Sequence, residues 1–303
     1  MGKLLWQDLT PILCDPDLCY LPIGTTSIIG FDSAWTDNTK APGAVSSVVI
    51  AKDGAVSFKP PHLASFDQAF EFIEAEHRAC DICLIALDQP TIVPNATGSR
   101  PVDRVAASLI SFIGGGVQPA NRSKKGMFDD GAPIWRFLER LGAIEDPELS
   151  RTAESGLFII EVFPALALPS FNVKFAGRMK APKYNPNNTK KFQKCDWLGV
   201  IDIVARYARD VRIKKIEDWA REIETETADR PSKADQDRLD AVLCGLIGYH
   251  WRVKPRQDSI MIGDLTSGYM IAPTNAVTRT RLEAAAAKRG VPVDGITEMG
   301  GRS

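Results

Sequence analysis

The pattern of apolar and polar positions divides the chain into short buried runs and longer amphipathic stretches. DICLIALDQP (81–90) and GLFIIEVFPA (156–165) are continuously apolar over most of their length, which is typical of strands buried on both faces of a parallel sheet. TTSIIGFDSAW (25–35) predicts another strand. SSVVIAKDGAVSFK (46–59) predicts a hairpin with its turn at Asp53-Gly54.

Helical periodicity fills much of the remaining chain. Apolar residues at i, i+3, i+4 spacing predict helices at 65–79, 100–113, 131–142, 197–210, 214–226, 277–289 and from DQDRLD to about 252. The order is therefore strand, hairpin, helix, strand, helices, strand, helices. Parallel strands joined by helical crossovers indicate a layered α/β fold, and sites in such sheets form beyond the carboxyl ends of the strands.

The helix that begins at DQDRLD (235–240) carries three aspartates in six residues. Ser232 and Asp235 have the spacing of a capping box, which accounts for Asp235. Asp237 and Asp240 lie past the first turn and on one side of the helix, with Asp240 beside the apolar stripe. Partial burial of two like charges is unfavourable. Either these aspartates lie on a solvated face, or a cation offsets their repulsion.

Composition and charge limit the classes of partner. The 303 residues are 44% hydrophobic and 25% charged, as in ordinary globular proteins, and the net charge of −1 requires any polyanion site to be a local patch. No apolar run approaches the roughly 18 residues of a membrane span, and no signal peptide is recognisable, so we expect a cytoplasmic protein without a membrane partner. The six cysteines and three histidines do not form a metal-binding pattern.

Three predicted strands end in an acidic residue, at Asp32, Asp88 and Glu161. Each has an ordinary structural explanation, such as a turn cap, an Asx turn or an ion pair. Together with Asp237 and Asp240, however, they could meet at one sheet edge. Carboxylates without His or Cys suit Mg²⁺ or Mn²⁺. One or two such ions would offset the repulsion, and two metals about 4 Å apart can hydrolyse a phosphodiester.

Several motifs carry a resemblance to a known family. IIGFDSAW, IALDQP followed by RPVDR, FIIEVFPA, DRLDAVLCG and GYMIAPT resemble the domain-of-unknown-function family 429, regarded as predicted nucleases with a ribonuclease-H-like fold. The first four motifs span about 26–252 in the family's order. The resemblance implies a mixed five-stranded sheet flanked by helices, a meander of the first three strands, and helical insertions before the last core helix.

The resemblance also implies which residues form the site. An acid on the first strand, an acid at the end of the fourth strand and a D-x-x-D pair on the last core helix correspond to Asp32, Asp88, and Asp237 with Asp240, which we expect to hold Mg²⁺ or Mn²⁺. Glu161 matches the family's E-x-x-P motif, although Ala165 follows where an acid is common. We expect all five acids to be catalytic in a metal-dependent nuclease that acts on DNA or RNA.

No internal repeat or low-complexity linker divides the chain, so we expect one domain with extensions. The predicted parts are an N-terminal extension at 1–25, a ribonuclease-H-like domain at 26–252 with an insertion at about 165–230, and a C-terminal extension at 253–303 packed on the core.

Two basic segments are candidates for phosphate binding. Residues 172–195 contain seven Lys or Arg and no acid. There we expect Lys183, Lys190 and Lys191 to contact substrate, with Tyr184 and neighbouring Phe residues free to stack on bases. The second segment is GGGVQPANRSKKG (114–126), whose glycine N–H groups could face an anion. The alternative for both segments is a solvated basic loop.

Five arginine and lysine side chains outside the first segment complete the predicted substrate contacts. Arg122, Lys124 and Lys125 belong to the glycine-rich segment, whereas Arg100 and Arg104 follow the strand of Asp88. For the last two we expect contacts to substrate phosphates or to active-site carboxylates, with surface ion pairs as the alternative.

Two other classes of function stay open. An actin-like or sugar-kinase-like nucleotide-binding protein would share the first-strand acid, but it needs a second such domain, and no second strand–hairpin–helix set is recognisable. A non-catalytic nucleic-acid-binding protein could keep the fold without the chemistry. Resolvase-like enzymes often act as dimers, so a homodimer is also an open alternative.

Overall fold

A computed structural model describes residues 24–38, 40, 42–227 and 229–295. The strands are β1 (Thr26–Asp32), β2 (Gly43–Ile50), β3 (Val56–Ala64), β4 (Ile82–Leu87), β5 (Gly156–Glu161), β6 (Ser259–Asp264) and β7 (Gly268–Pro273). The helices are α1 (Phe66–Ala79), α2 (Pro101–Phe112), α3 (Pro133–Leu141), α4 (Pro147–Thr152), α5 (Pro164–Phe171), α6 (Lys194–Asp210), α7 (Lys214–Glu226), α8 (Lys233–Val253) and α9 (Ala276–Ala287). The predicted N-terminal extension lies outside the described residues except for 24 and 25.

Five strands form a mixed sheet in the order β3-β2-β1-β4-β5. β1, β4 and β5 are parallel, whereas β2 runs antiparallel to β1 and β3. The predicted α/β class, the mixed sheet and the meander of the first three strands are confirmed. The architecture is consistent with a ribonuclease-H-like fold, and the parallel order places the carboxyl ends of β1, β4 and β5 at one edge.

Helices cover both faces of this sheet. On one face, Phe31 packs against Phe66 of α1 and Phe137 of α3, with ring centroids 5.8 and 5.7 Å apart. On the other face, α8 crosses β1 and β2, and α6 and α7 cover α8 and β3. The fully buried Trp197 of α6 belongs to this second core. Helices α6 and α7 precede α8 in the sequence, as predicted for helical insertions before the last core helix.

Helix α8 lies close against the sheet where Gly245 meets Gly30 of β1. A Cβ atom at Gly30 would collide with the Ala241 carbonyl oxygen and the Gly245 amide nitrogen. The absence of a side chain thus lets the helix backbone lie directly on the strand. Because Gly30 precedes Asp32 by two residues, this contact brings the first turns of α8 to the carboxyl end of β1.

The last described elements pack beside the main sheet. The hairpin β6–β7 meets the end of β5 through a parallel bridge between Val162 and Ile271. Helix α9 packs on α2, where Leu282 joins a buried apolar cluster with Val105 and Leu109. Of the helices described, none has the length and apolarity needed to cross a bilayer.

Candidate functional site

Four aspartates gather at the carboxyl edge of the sheet. Asp32 ends β1, Asp88 directly follows β4, and Asp237 and Asp240 lie in the second turn of α8. Asp32, Asp237 and Asp240 are each at least nine-tenths buried. We call these four residues the acidic cluster. The strand register brings Asp32 beside Asp88, since Phe31 pairs with Leu87 and the aspartate is the next residue in each case.

Burial and mutual repulsion act together on these carboxyls. Burial raises the pKa of Asp32 well above its ordinary value, and the charges of Asp240, Asp88 and Asp237 raise it further. The pKa of Asp88 is likewise raised, first by burial and then by Asp240 and Glu161. The surroundings therefore do not compensate the charge of these carboxyls when they are ionised, as expected of a site that receives a cation.

Asp240 is the best supported member of the cluster. Its two carboxylate oxygens accept hydrogen bonds from the Tyr184 hydroxyl at 2.8 Å and from Gln236 Nε2 at 2.9 Å. Burial raises the pKa of Asp240 to about 6, although Lys233 and these two hydrogen bonds act in the opposite direction. The other polar atom of Gln236, Oε1, is buried and has no hydrogen-bond partner among the described residues.

Lys233, in the first turn of α8, places a cation beside the cluster. Its Nζ forms an ion pair with Asp237, and its charge lowers the pKa values of Asp32, Asp88 and Asp240 against the larger effect of burial. The pKa of Lys233 is raised because, although burial lowers it, the charges of Asp32 and Asp237 act more strongly. Lys233 thus supplies part of the positive charge that the aspartates need.

The chemistry of the donor set fits a divalent metal ion. Carboxylate oxygens and the unpartnered carbonyl oxygen of Gln236 are hard ligands of the kind that Mg²⁺ and Mn²⁺ prefer. Within the part of the chain that the structure describes, however, no three His, Cys, Asp or Glu residues surround a common point closely enough to hold an ion. Metal binding would therefore require carboxylates that form no hydrogen bond with the described residues, those of Asp32 and Asp88, to turn toward Asp240.

Glu161 belongs to a separate buried network. Its Oε1 and Oε2 accept hydrogen bonds from Arg100 Nη2 at 2.6 Å and Nη1 at 2.8 Å, and Oε2 also accepts from the Thr91 N–H at 3.2 Å. Asp103 Oδ1 accepts from Arg100 Nη2 at 2.9 Å and from Nε at 3.1 Å. We call Glu161, Arg100 and Asp103 the arginine network. In this network the charge of Arg100 is paired with carboxylate charges, whereas the acidic cluster has no such arginine among the described residues.

The predicted substrate contact of Arg100 is corrected by this network. Arg100 is fully buried, and its five N–H donors are used by Glu161, Asp103 and the Ile92 carbonyl oxygen. Burial lowers the pKa of Arg100, but the two carboxylates raise it above its ordinary value. Arg100 therefore contacts carboxylates, the other role expected for it, whereas Arg104 lies exposed on α2.

The glycine-rich segment is held to the arginine network. Asp103 Oδ2 accepts a hydrogen bond from the Ala120 N–H at 3.0 Å. Arg122 donates from Nε to the Val93 carbonyl oxygen at 2.7 Å, and its guanidinium lies 4.2 Å from the centre of the Trp135 ring. These contacts give Arg122 a structural role. Lys124 is partly buried, and Lys125 is exposed.

The second basic segment lies against the first and reaches the cluster. Lys183 donates from Nζ to the Gly114 carbonyl oxygen, which joins the two segments, while Lys190 and Lys191 are exposed. The expectation that Tyr184 stacks on bases is wrong, because its ring is buried and its hydroxyl is bonded to Asp240. Phe171, Phe175 and Phe192 also pack against the core rather than forming a stacking surface.

A cavity of about 180 Å³ opens beside the cluster, between the ends of β4 and β5 and residues 116–118. Asp88 lines it, so the cavity and the acidic cluster share a wall. Trp35 also lines it and donates from Nε1 to the Asp88 carbonyl oxygen at 3.0 Å. Sequence reasoning missed this tryptophan, although it ends the motif IIGFDSAW, three residues after the first strand.

Comparison with known proteins gives a family match. The family model described as "Protein of unknown function (DUF429)" matches residues 30–261, from β1 into β6. The match covers all four aspartates of the acidic cluster and the arginine network. No curated protein and no solved structure matches the chain.

Proposed function

The chain belongs to the DUF429 family, and from this premise we propose that it is a metal-dependent hydrolase of nucleic-acid phosphodiester bonds. The observation that carries the proposal is the acidic cluster. Within the described residues, the carboxylates of Asp32 and Asp88 have neither a hydrogen bond nor an ion pair, and their pKa values are raised by burial and by neighbouring acids. Such an arrangement is unfavourable without a bound cation.

The residues proposed to hold Mg²⁺ or Mn²⁺ are Asp32, Asp88, Asp237 and Asp240. A bound divalent ion would lower the pKa of an attacking water and stabilise charge on the phosphate. Tyr184 and Gln236 fix the orientation of the Asp240 carboxylate by their hydrogen bonds. Lys233 forms an ion pair with Asp237, so it limits the net charge of the cluster and would share this proposed ligand with a bound ion.

Glu161 is proposed as a positioning residue rather than as a metal ligand. Its carboxylate is engaged by Arg100 and by the Thr91 N–H, three residues after Asp88. Because Arg100 also binds the Ile92 carbonyl oxygen, the network holds the segment that follows β4 from two sides. It thereby fixes the backbone that carries Asp88.

The two basic segments are proposed to hold the substrate backbone. Tyr184 bonds to Asp240 and Lys183 bonds to Gly114, so both segments run along the edge of the acidic cluster. The exposed Lys125, Lys190 and Lys191 are available on them to contact phosphates.

The first test of the proposal is Mn²⁺ binding by calorimetry to the wild type and to an Asp32→Asn/Asp240→Asn double variant. Asp67→Asn is the matched control, since Asp67 is an exposed acid in an ion pair with Arg140. The expected result is binding that the double variant loses and the control keeps. Cleavage of single-stranded DNA, branched DNA and RNA is then measured with Mn²⁺, and Asp32→Asn alone is expected to abolish it. A wild type that neither binds Mn²⁺ nor cleaves any of these substrates contradicts the proposal.

A second candidate is a nucleic-acid-binding protein without hydrolytic activity. It is favoured by one observation, that the described carboxylates do not surround a common point. Binding of nucleic acid that is unaffected by Asp32→Asn and by Mn²⁺, with no cleavage, would support it. The nucleotide-binding alternative is disfavoured, because it needs two similar sheets, whereas the described residues form one five-stranded sheet and a two-stranded hairpin.

A further inference from the structure

We propose that the cavity beside the acidic cluster binds one unpaired nucleobase of the substrate, with Trp35 as its stacking surface. This inference rests on the proposed function, because it assumes that a phosphate of the same strand lies at the acidic cluster. It goes beyond that function by assigning a base-binding site and by favouring single-stranded or locally unpaired nucleic acid.

The location of the cavity matches a nucleotide whose phosphate is at the cluster. Asp88 contributes to both, so a ligand in the cavity lies directly beside the acidic residues. The walls are largely apolar, formed by Trp35, Pro90, Val117, Phe163 and Met270. Aromatic and apolar walls next to a phosphate site are what a base requires, since every base has a stacking face.

The size of the cavity restricts the ligand to one ring system. An engineered apolar cavity of roughly 150 Å³ holds one benzene molecule. The present cavity, at about 180 Å³, has room for a single base and not for a base pair. An intact duplex would therefore have to release one base before that base could enter.

Trp35 is held in place before any ligand arrives. Its Nε1 donates to the Asp88 carbonyl oxygen at 3.0 Å, and its ring packs on the buried Phe128 at a centroid distance of 5.4 Å. A ring fixed in this way loses little conformational freedom when a base stacks on it.

The charge of the lining favours a neutral base over a phosphate. Asp88, Asp103 and Glu161 are among the lining residues, and the carboxylates of Asp103 and Glu161 are engaged by the buried Arg100. None of the described lining residues is a lysine or an arginine. The cavity thus repels an anion, whereas Asp88 and the exposed amide of Gln118 can accept or donate hydrogen bonds at the edge of a base.

The test compares two fluorescein-labelled probes in Ca²⁺ buffer, a hexathymidylate and an abasic strand of the same length, with binding followed by anisotropy. Electrophoresis verifies that the strands stay intact. The variants are Trp35→Ala and Gly116→Leu. A Cβ atom added at Gly116 has no atom within 4 Å, so a leucine side chain can begin there without a clash and adds bulk at the cavity wall. Gly131→Leu is the matched control, because Gly131 is equally open and does not line the cavity.

The expected result is that wild type and Gly131→Leu bind hexathymidylate at least about fivefold more tightly than the abasic strand. Trp35→Ala and Gly116→Leu should each remove most of this preference while leaving affinity for the abasic strand unchanged. Equal affinity of the wild type for both strands, or a preference that survives both variants, overturns the base-binding site and leaves the proposed function standing. No binding of either strand by the wild type overturns both.

Discussion

Replacing Asp240 by asparagine tests whether the acidic cluster destabilises the metal-free protein. The pKa of Asp240 is raised from 3.8 to about 6, mainly by burial. The native state therefore binds a proton at Asp240 more tightly than the unfolded state does. The stability from this preference is fully present below pH 3.8, and it is lost as the pH rises through about 6.

The expected size of the effect follows from the pKa difference. The interval from 3.8 to about 6 corresponds to about 3 kcal/mol in the free energy of unfolding, at about 1.4 kcal/mol per pH unit. The side-chain carbonyl introduced by Asp240→Asn can still accept from the Tyr184 hydroxyl. The introduced NH₂ group can donate to Gln236 if that amide turns over, because Gln236 Oε1 has no other partner among the described residues. This rotation of the Gln236 amide leaves its Nε2 without a hydrogen bond, which lowers the free energy of unfolding by about 1 kcal/mol.

The net prediction is that the effect of Asp240→Asn changes sign with pH. In urea unfolding with EDTA, the variant should be more stable than the wild type by about 2 kcal/mol near pH 7.5, and less stable by about 0.5 kcal/mol near pH 4, where part of the wild type's advantage is already lost. Asp67→Asn, which removes an exposed carboxylate, should show no such crossing. If Asp240→Asn is less stable than the wild type at both pH values, ionisation of Asp240 does not destabilise the metal-free protein, and the reasoning is refuted.

Three further changes probe the neighbouring groups. Lys233→Met should lower the stability of the metal-free protein and tighten Mn²⁺ binding in calorimetry, because the ion no longer competes with the ammonium for Asp237. The control Lys59→Met removes a cation from another ion pair, and equal Mn²⁺ affinity of the two variants would contradict this. Arg100→Met should lower the free energy of unfolding by about 3–5 kcal/mol in urea, since it leaves two buried carboxylates uncompensated, and a loss below about 1 kcal/mol would refute this. Tyr184→Phe should raise the pKa of Asp240, seen in the pH dependence of the free energy of unfolding, because a hydrogen bond to the charged carboxylate is lost. An unshifted pH dependence would show that this bond is unimportant.

The acidic residues at the strand ends could be predicted because their position depends on local pattern alone. A buried parallel strand has a recognisable composition, and its end is marked by the first charge, as at Asp32 and Asp88. Once the strands are parallel neighbours, register brings those ends together. The contact of Gly245 with Gly30, by contrast, depends on how α8 lies on the sheet and was not predicted.

The partners of buried polar groups could not be predicted, because they come from distant parts of the chain. Tyr184 reaches Asp240 across 56 positions, and Arg100 reaches Glu161 across 61. Nothing in the local sequence of a basic, proline-containing segment distinguishes a buried tyrosine from an exposed one. The short α5 and the hairpin β6–β7 were missed as well: the first contains Pro169, and the two apolar runs of the second, on either side of a short polar turn, were overlooked.

The contrast between the arginine network and the acidic cluster is the strongest argument for a functional site. The same fold that gives Glu161 a bidentate partner in Arg100 leaves the carboxylates of Asp32 and Asp88 without a hydrogen bond or an ion pair in the described structure, although the charge of Lys233 lies nearby. Folding alone gives no reason for this difference, because an unpaired buried acid lowers stability. The difference is explained if the carboxylates of Asp32 and Asp88 must stay available to a cation that arrives with the substrate. The site is then held by rigid elements, with the bare backbone contact at Gly30 keeping α8 close enough for its aspartates to face Asp32.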